Sequence, residues 1–438
     1  MTWKLSESRW ICAAAVLVCL LGLPLAGSAA TPQLLGSEVQ VNTNGLSQLH
    51  NPSAAFDAAG RSLVVWENDL LGVRGRFYDS AGKPLGNELS LVRNVAWSVL
   101  PGTAPVVFHR NPVVVFLPSG NFLLAWAEEH GTLEWTIFFE NLQVQSREIV
   151  VQEFNTAGTP LTGQRTISSG GVGLKSLPRL AALPAGGVAA AWMSSYGKVS
   201  TPASELGVFT RQLDGTGRPI GAQTQVDTKK GAIGLAPALA VDPDGSYLIA
   251  WTSQNGTDTF NTSIYGRVIG AAGAPLAAPF AITPNTVVGP QGRPTVANDG
   301  RGSYLVAWQS YFNDAFHTRV DGQIVSKAGG LLGKLQTIST GEGNNLADAA
   351  PSAAVAPGGT FMLTWMEWNM SFPVGLAGVQ VDRTGVPLGD QFWINDLQIG
   401  AQGRTSLATD GAGHYLSSYE GFENQTTVGI RARYFAAD

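Results

Sequence analysis

Cysteine is almost absent from this 438-residue chain; Cys12 and Cys19 are the two present, both within the first twenty residues. Charge is scarce as well, at 13% of residues against 44% from the apolar set, which excludes a disordered chain. No basic cluster or arginine-rich stretch occurs, so nucleic acid and anionic lipid surfaces are not expected partners. The five histidines, His50, His109, His130, His317 and His414, show no paired ligand spacing. There is no nucleophile elbow, phosphate loop or dinucleotide fingerprint. Long hydrophobic runs are limited to one, from Ile11 to Leu25, shorter than the ~20 residues that cross a bilayer.

That run follows Lys4 and Arg9 and ends in Ala26, Gly27, Ser28, Ala29 and Ala30, the pattern of a secretory signal peptide. Residues 1–30 are therefore read as a removed leader and 31–438 as a single exported domain. It is expected to be secreted or periplasmic, without membrane insertion, and monomeric. Both cysteines leave with the leader, so the mature chain can form no disulfide and no thiolate metal site.

What the sequence has in abundance is glycine, 53 residues, placed with a period. Trp66, Trp126, Trp192, Trp251, Trp308, Trp365 and Tyr419 each end a short apolar run, 54 to 66 residues apart. Six residues before each anchor stands a glycine: Gly60, Gly120, Gly186, Gly245, Gly302, Gly359 and Gly413. Fourteen residues before it stands a proline in six repeats, with Thr405 in the seventh. A fixed period of this length marks a repeat architecture.

Each unit reads as a β-hairpin turned at the glycine, then a third strand such as Ile264 to Val268, a Gly-x-Pro turn, and a short fourth strand. The run before the anchor is apolar on both faces and must be covered on both. Four antiparallel strands per unit and no helical period make an all-β, seven-bladed β-propeller. The seventh unit stops after its third strand, three residues before Asp438. Its missing fourth strand is found at the other terminus, where Leu35-Gly36-Ser37-Glu38-Val39-Gln40-Val41-Asn42 matches Leu85 to Val92. Residues 35–42 are thus expected to complete blade 7 and close the ring, removing both exposed sheet edges.

The pattern Asp-x-x-Gly-x-aromatic followed by the anchor Trp, then Ile-x-Gly-Arg, then Gly-x-Pro-x-Gly, is fullest at Asp242 to Trp251 with Ile264 to Arg267. It resembles the repeats of a family found in exported, often very large, bacterial proteins of poorly defined role. The resemblance implies the propeller fold and carries no activity with it.

In a propeller the loops between second and third strands share one face, and here that face is long, irregular and aromatic. Tyr311, Phe316, Trp368 and Phe422 come from blades 5, 6 and 7, where flat rings beside amides suit a sugar. Carboxylates follow the anchors of consecutive blades: Glu367 in blade 6, Glu420 in blade 7, Glu67 in blade 1 and Glu128 in blade 2. Such an arc can hydrolyse glycosidic bonds or hold Ca²⁺. The inner strands are dominated by small residues with Arg179 as their one charge, a lining poor in ligands for a cofactor or metal, and none is expected. The expectation is an exported binding module recognising a glycan through Tyr311, Phe316, Trp368, Phe422, Glu367, Glu420 and Glu67, with no residue assigned to catalysis. A protein-interaction scaffold is the first alternative, and a glycoside hydrolase or lyase using the acidic arc the second.

Overall fold

The computed structural model describes residues 32–437 apart from 44–47, 96–101, 136–139, 197–200, 229–231, 256–261, 285–288, 312–317, 340–345, 370–372, 397–401 and 423–427. The proposed leader lies outside the described residues. Among them no helix is long and apolar enough to cross a membrane.

Seven blades of four antiparallel strands form a ring, and the strands run β1 to β28 in chain order. Strand β1 (Gln33–Gln40) pairs antiparallel with β28 (Val428–Ala436), so the N-terminal strand completes the blade begun at the C-terminus. Its pairing begins at Gln33 and slips between Leu35 and Val39. The six anchor tryptophans are 0–1% exposed and Tyr419 is equally buried, so the anchors pack between blades as core.

The recurrent motifs hold blade to blade. The glycine of Ile-x-Gly-Arg, and Gly322 at the same position of blade 5, make room for an aliphatic side chain that follows their own fourth strand: a Cβ on Gly266 would stand 2.8 Å from Ile282 Cδ1, and one on Gly322 2.5 Å from Ile338 Cδ1. The arginine reaches sideways. Arg76 donates through Nη1 to the Val41 carbonyl at 3.2 Å, Arg211 to Ile167 at 3.0 Å and Arg267 to Val226 at 3.3 Å, each in the preceding blade. Each fourth strand also ends in an aliphatic residue followed by a short polar one in six blades. Those side chains, such as Asn42, Ser168 and Asn395, accept a backbone N–H of the neighbouring third strand at 2.7–2.9 Å.

A second ladder runs round the inner strands. Ser53, Thr295, Ser352 and Ser406 each accept a backbone N–H of the next blade, from Val114, Ala353, Leu407 and Ala54 respectively, at 3.0–3.4 Å. Replacing Ser352 with Ala would orphan the Leu407 N–H. A loss of about 1 kcal/mol in urea unfolding is expected, and an unchanged midpoint would show that the ladder is decorative.

Blade 2 departs from the others. Its first three strands, Gly102–Phe116, Phe122–Trp135 and Glu140–Phe154, are 14–15 residues long and rise beyond the ring as an arm.

Candidate functional site

Every inner strand carries a register slip at the residue before the repeat's proline or Thr405. In six blades that residue has a left-handed φ of 46–53°: Asn51, Asn111, Leu177, Ala236, Arg293 and Ala350. Proline removes a ladder N–H and disfavours the right-handed helical region for its predecessor, so the strand bulges there. The bulge frees backbone N–H groups at the loop end of the channel, where carboxylates take them up.

Blades 7, 1 and 2 bring four carboxylates, one histidine and two arginines together at this level. The Asn51 N–H donates to Glu420 Oε1 at 2.8 Å, while its side-chain Nδ2 donates to Glu67 Oε2 at 2.8 Å. Glu67 also accepts the Asn111 N–H at 2.9 Å and Arg110 Nη1 at 2.7 Å. The same Arg110 nitrogen reaches Asp69 Oδ1 at 2.8 Å, and its guanidinium lies 4.8 Å from the Phe108 ring centroid. On the far side of Arg110, Glu129 is held by Arg147.

His50 stands between two of these acids. Its Nε2 is 3.7 Å from Asp69 Oδ2 and its Nδ1 4.0 Å from Glu420 Oε1. Asp69 raises the histidine's pKa, against burial, with the charges of Glu420 and Glu67 adding to it. Burial works against ionisation of Asp69, but His50 and Arg110 outweigh it and hold its pKa below the ordinary value. Glu420 is shifted the other way. Burial raises its pKa, and the Glu67 charge adds to this, despite the Asn51 N–H, His50 and Arg404. Asp69 and Glu420 therefore have opposed proton preferences on either side of one imidazole, at most about 10 Å apart, within the reach of paired carboxylates that split glycosidic bonds.

Two further acidic groups flank this centre. In blade 2, His109 Nε2 at 3.6 Å and His130 Nε2 at 2.9 Å hold Glu128 down at about 2, His109 having the larger effect. In blade 6, Asp348 is paired across the hairpin with Glu367. Asp348 is fully buried and neither of its oxygens has a hydrogen bond of normal geometry. Burial pushes it up to about 7, the Glu367 charge adding to this, and burial raises Glu367 too, against a 3.0 Å hydrogen bond from Gln391. Among the described residues no group of three or more His, Cys, Asp or Glu is arranged to hold a metal ion.

The residues expected from sequence are distributed unevenly. Glu420 and Glu67 are joined through Asn51, whereas Glu367 belongs to the separate pair on blade 6. Tyr311 and Trp368 are half-buried at strand ends, and the Tyr311 hydroxyl accepts Gln309 Nε2 at 3.2 Å. Phe316 lies outside the described residues, and of Phe422 only the backbone, paired with Val428, is described. Asp69, His50, Asn51, Arg110 and Arg404 were not singled out from sequence. Their common signal is position, immediately before or within three residues of the bulge or the anchor. The central channel holds a second charge besides Arg179, because Arg404 lines it too, correcting the expectation of one.

No protein-family model matches the sequence, and no curated protein matches it. Solved structures do. A protein of unknown function from Dyadobacter fermentans has a TM-score of 0.54 at 13% identity, over 77% of this chain and 100% of that one. A Hadza microbial sialidase gives 0.49 at 12%, over 86% and 76%, and an α-L-arabinanase of Penicillium chrysogenum, complexed with arabinobiose, 0.46 at 12%, over 93% and 98%. The likeness is one of fold. Arabinofuranosidases and a xylosidase are also among the neighbours, so most are glycan-cleaving propellers. This finding corrects the expectation of a module that only recognises glycan. At such identities the likeness extends to the ring alone, and any activity has to be argued from the side chains.

Proposed function

We propose that the protein is an exported glycoside hydrolase acting at blades 7, 1 and 2, with Glu420 as proton donor and Asp69 as the ionised carboxylate. The supporting observation is the opposed shift of these two acids across His50. A neutral Glu420 can protonate the leaving glycosidic oxygen. An ionised Asp69 can stabilise the positive charge that develops at the anomeric carbon, or take a proton from the attacking water. Glu67 and Arg110 lie beneath and fix the geometry: Arg110 bridges Glu67 to Asp69, and Asn51 bridges Glu67 to Glu420. His50, carrying charge more readily than a free imidazole, keeps Asp69 ionised.

The ring of Trp368, with Tyr311, Phe316, Phe422 and Glu367, is proposed to extend the site along the loop face as sugar-binding positions. Export to the periplasm or medium and the repeat-family resemblance belong to the same reading, since a leader and a glycan substrate suit one another.

Incubating the mature protein with a panel of polysaccharides and aryl glycosides tests this. Release of new reducing ends is expected from at least one glycan, and its loss in Asp69→Asn. No turnover of any panel member would overturn the reading, as would full turnover by Asp69→Asn.

A further inference from the structure

The central channel encloses about 300 Å³, and of the residues lining it only Arg179 and Arg404 carry charge. Arg179 sits just past the proline of blade 3, at the position taken by Ser53, Val113, Ala238, Thr295, Ser352 and Ser406 elsewhere. Its side chain is exposed to the open channel. Both side chains line this one channel, and burial, with the charge of Arg404 adding to it, lowers the Arg179 pKa to about 10. Arg404 occupies the bulge of blade 7.

Neither arginine has a counter-charge among the described residues. Arg179 Nη1 donates to the Pro178 carbonyl at 3.0 Å, and Arg404 Nη1 donates to Asn51 Oδ1. No ion pair to either is found there, and Glu420, which feels the charge of Arg404, lies beyond ion-pair distance. A guanidinium has five N–H donors, so most of the ten have no protein acceptor among the described residues and are open to a ligand or water. Two like charges facing one channel repel each other, and an anion between them relieves that repulsion.

We propose that the channel is a binding site for a single oxyanion, held between Arg179 and Arg404. A planar or tetrahedral oxyanion presents paired oxygens that match the guanidinium fork, and it cancels the repulsion. Carboxylate, sulfate and phosphate share this chemistry. The occupant is either a free oxyanion or the acid group of a sugar, and the volume admits both. The inference stands on the channel and does not require the carboxylates at its rim to be catalytic.

Calorimetric and thermal titrations of the mature protein with sodium sulfate, against sodium chloride at matched ionic strength, provide the test. Sulfate also stabilises proteins by exclusion from their surface, so saturation is the criterion. A saturable rise in Tm of roughly 3–5 °C is expected at a sulfate concentration about a hundred times Kd. Arg179→Gln and Arg404→Gln should each weaken sulfate at least tenfold, and both should fold, since each relieves the repulsion. Glucuronate binding at least tenfold more tightly than acetate would assign the site to a sugar acid; equal binding would assign it to the free oxyanion. A rise that does not saturate, absence of calorimetric binding by the parent protein, or unchanged affinity in both variants would overturn the proposal.

Discussion

Deleting residues 32–43 is expected to cost about 5 kcal/mol or more, comparable with the whole margin by which most domains stay folded. The segment supplies the outer strand of blade 7. Val41 is fully buried among Leu49, Trp66, Leu416 and Ile430, and Leu35 and Val39 pack against the same cluster. Burial of one full side chain of this kind contributes about 1.5–3 kcal/mol, and one fully buried and two partly buried side chains are lost together. Polar losses accompany them. The Ile430 N–H loses Asn42 Oδ1 at 2.8 Å, Arg431 loses Glu38 at 2.7 Å, and Arg76 of blade 1 loses the Val41 carbonyl. The deletion also bares the β28 edge, to which a second molecule can add. Thermal unfolding and light scattering read both effects: a large fall in Tm with aggregation is expected. A variant that melts with the parent would show that the ring does not depend on its closing strand.

The sequence made this closure visible because the fourth strand of a blade has a signature, Leu-Gly-x-Glu followed by alternating apolar residues, that survives transposition to the other terminus. The anchors were equally visible, since a tryptophan buried between blades admits few substitutes and recurs at one offset. Two kinds of feature stayed hidden. Clasps such as Arg76 to Val41 join residues of different repeats, and a repeat alignment shows the arginine without showing its acceptor. The site was hidden more deeply. Glu67 and Glu420 share the position after the anchor, and their arc could be drawn from the repeat alone. Asp69 and His50 recur in no repeat. They meet because the bulge at Asn51 turns its two nitrogen donors toward Glu420 and Glu67, a consequence of a positive φ that no composition or spacing displays. The long arm of blade 2 looks like a loop in the sequence for a similar reason: beyond Trp126 its strands Ala127 to Trp135 and Glu140 to Ile149 have mixed polarity, and pairing with each other decides their conformation.

Replacing Glu420 with Gln is expected to separate chemistry from folding. The substituted amide keeps an oxygen to accept the Asn51 N–H and keeps the side chain's volume, but it has no acidic proton to give. If Glu420 donates the proton, kcat should fall by about 10²–10⁴, the usual contribution of a general acid. Stability should not fall with it. A carboxyl whose pKa is raised on folding contributes stability that is complete below its unfolded value and is lost as pH rises through the folded one. As pH rises through that raised pKa the parent loses the contribution and the uncharged amide has none to lose, so on the alkaline side of it the variant should melt no lower. The pH profile adds a second readout. The parent should be active between an acid limb set by Asp69, below the ordinary range of aspartate, and an alkaline limb set by Glu420, above that of glutamate. The residual activity of Glu420→Gln should lack the alkaline limb and retain the acid one. A variant that turns over glycan at the parental rate, or keeps both limbs, would remove Glu420 from the chemistry and leave it as a buried acceptor for the bulge at Asn51.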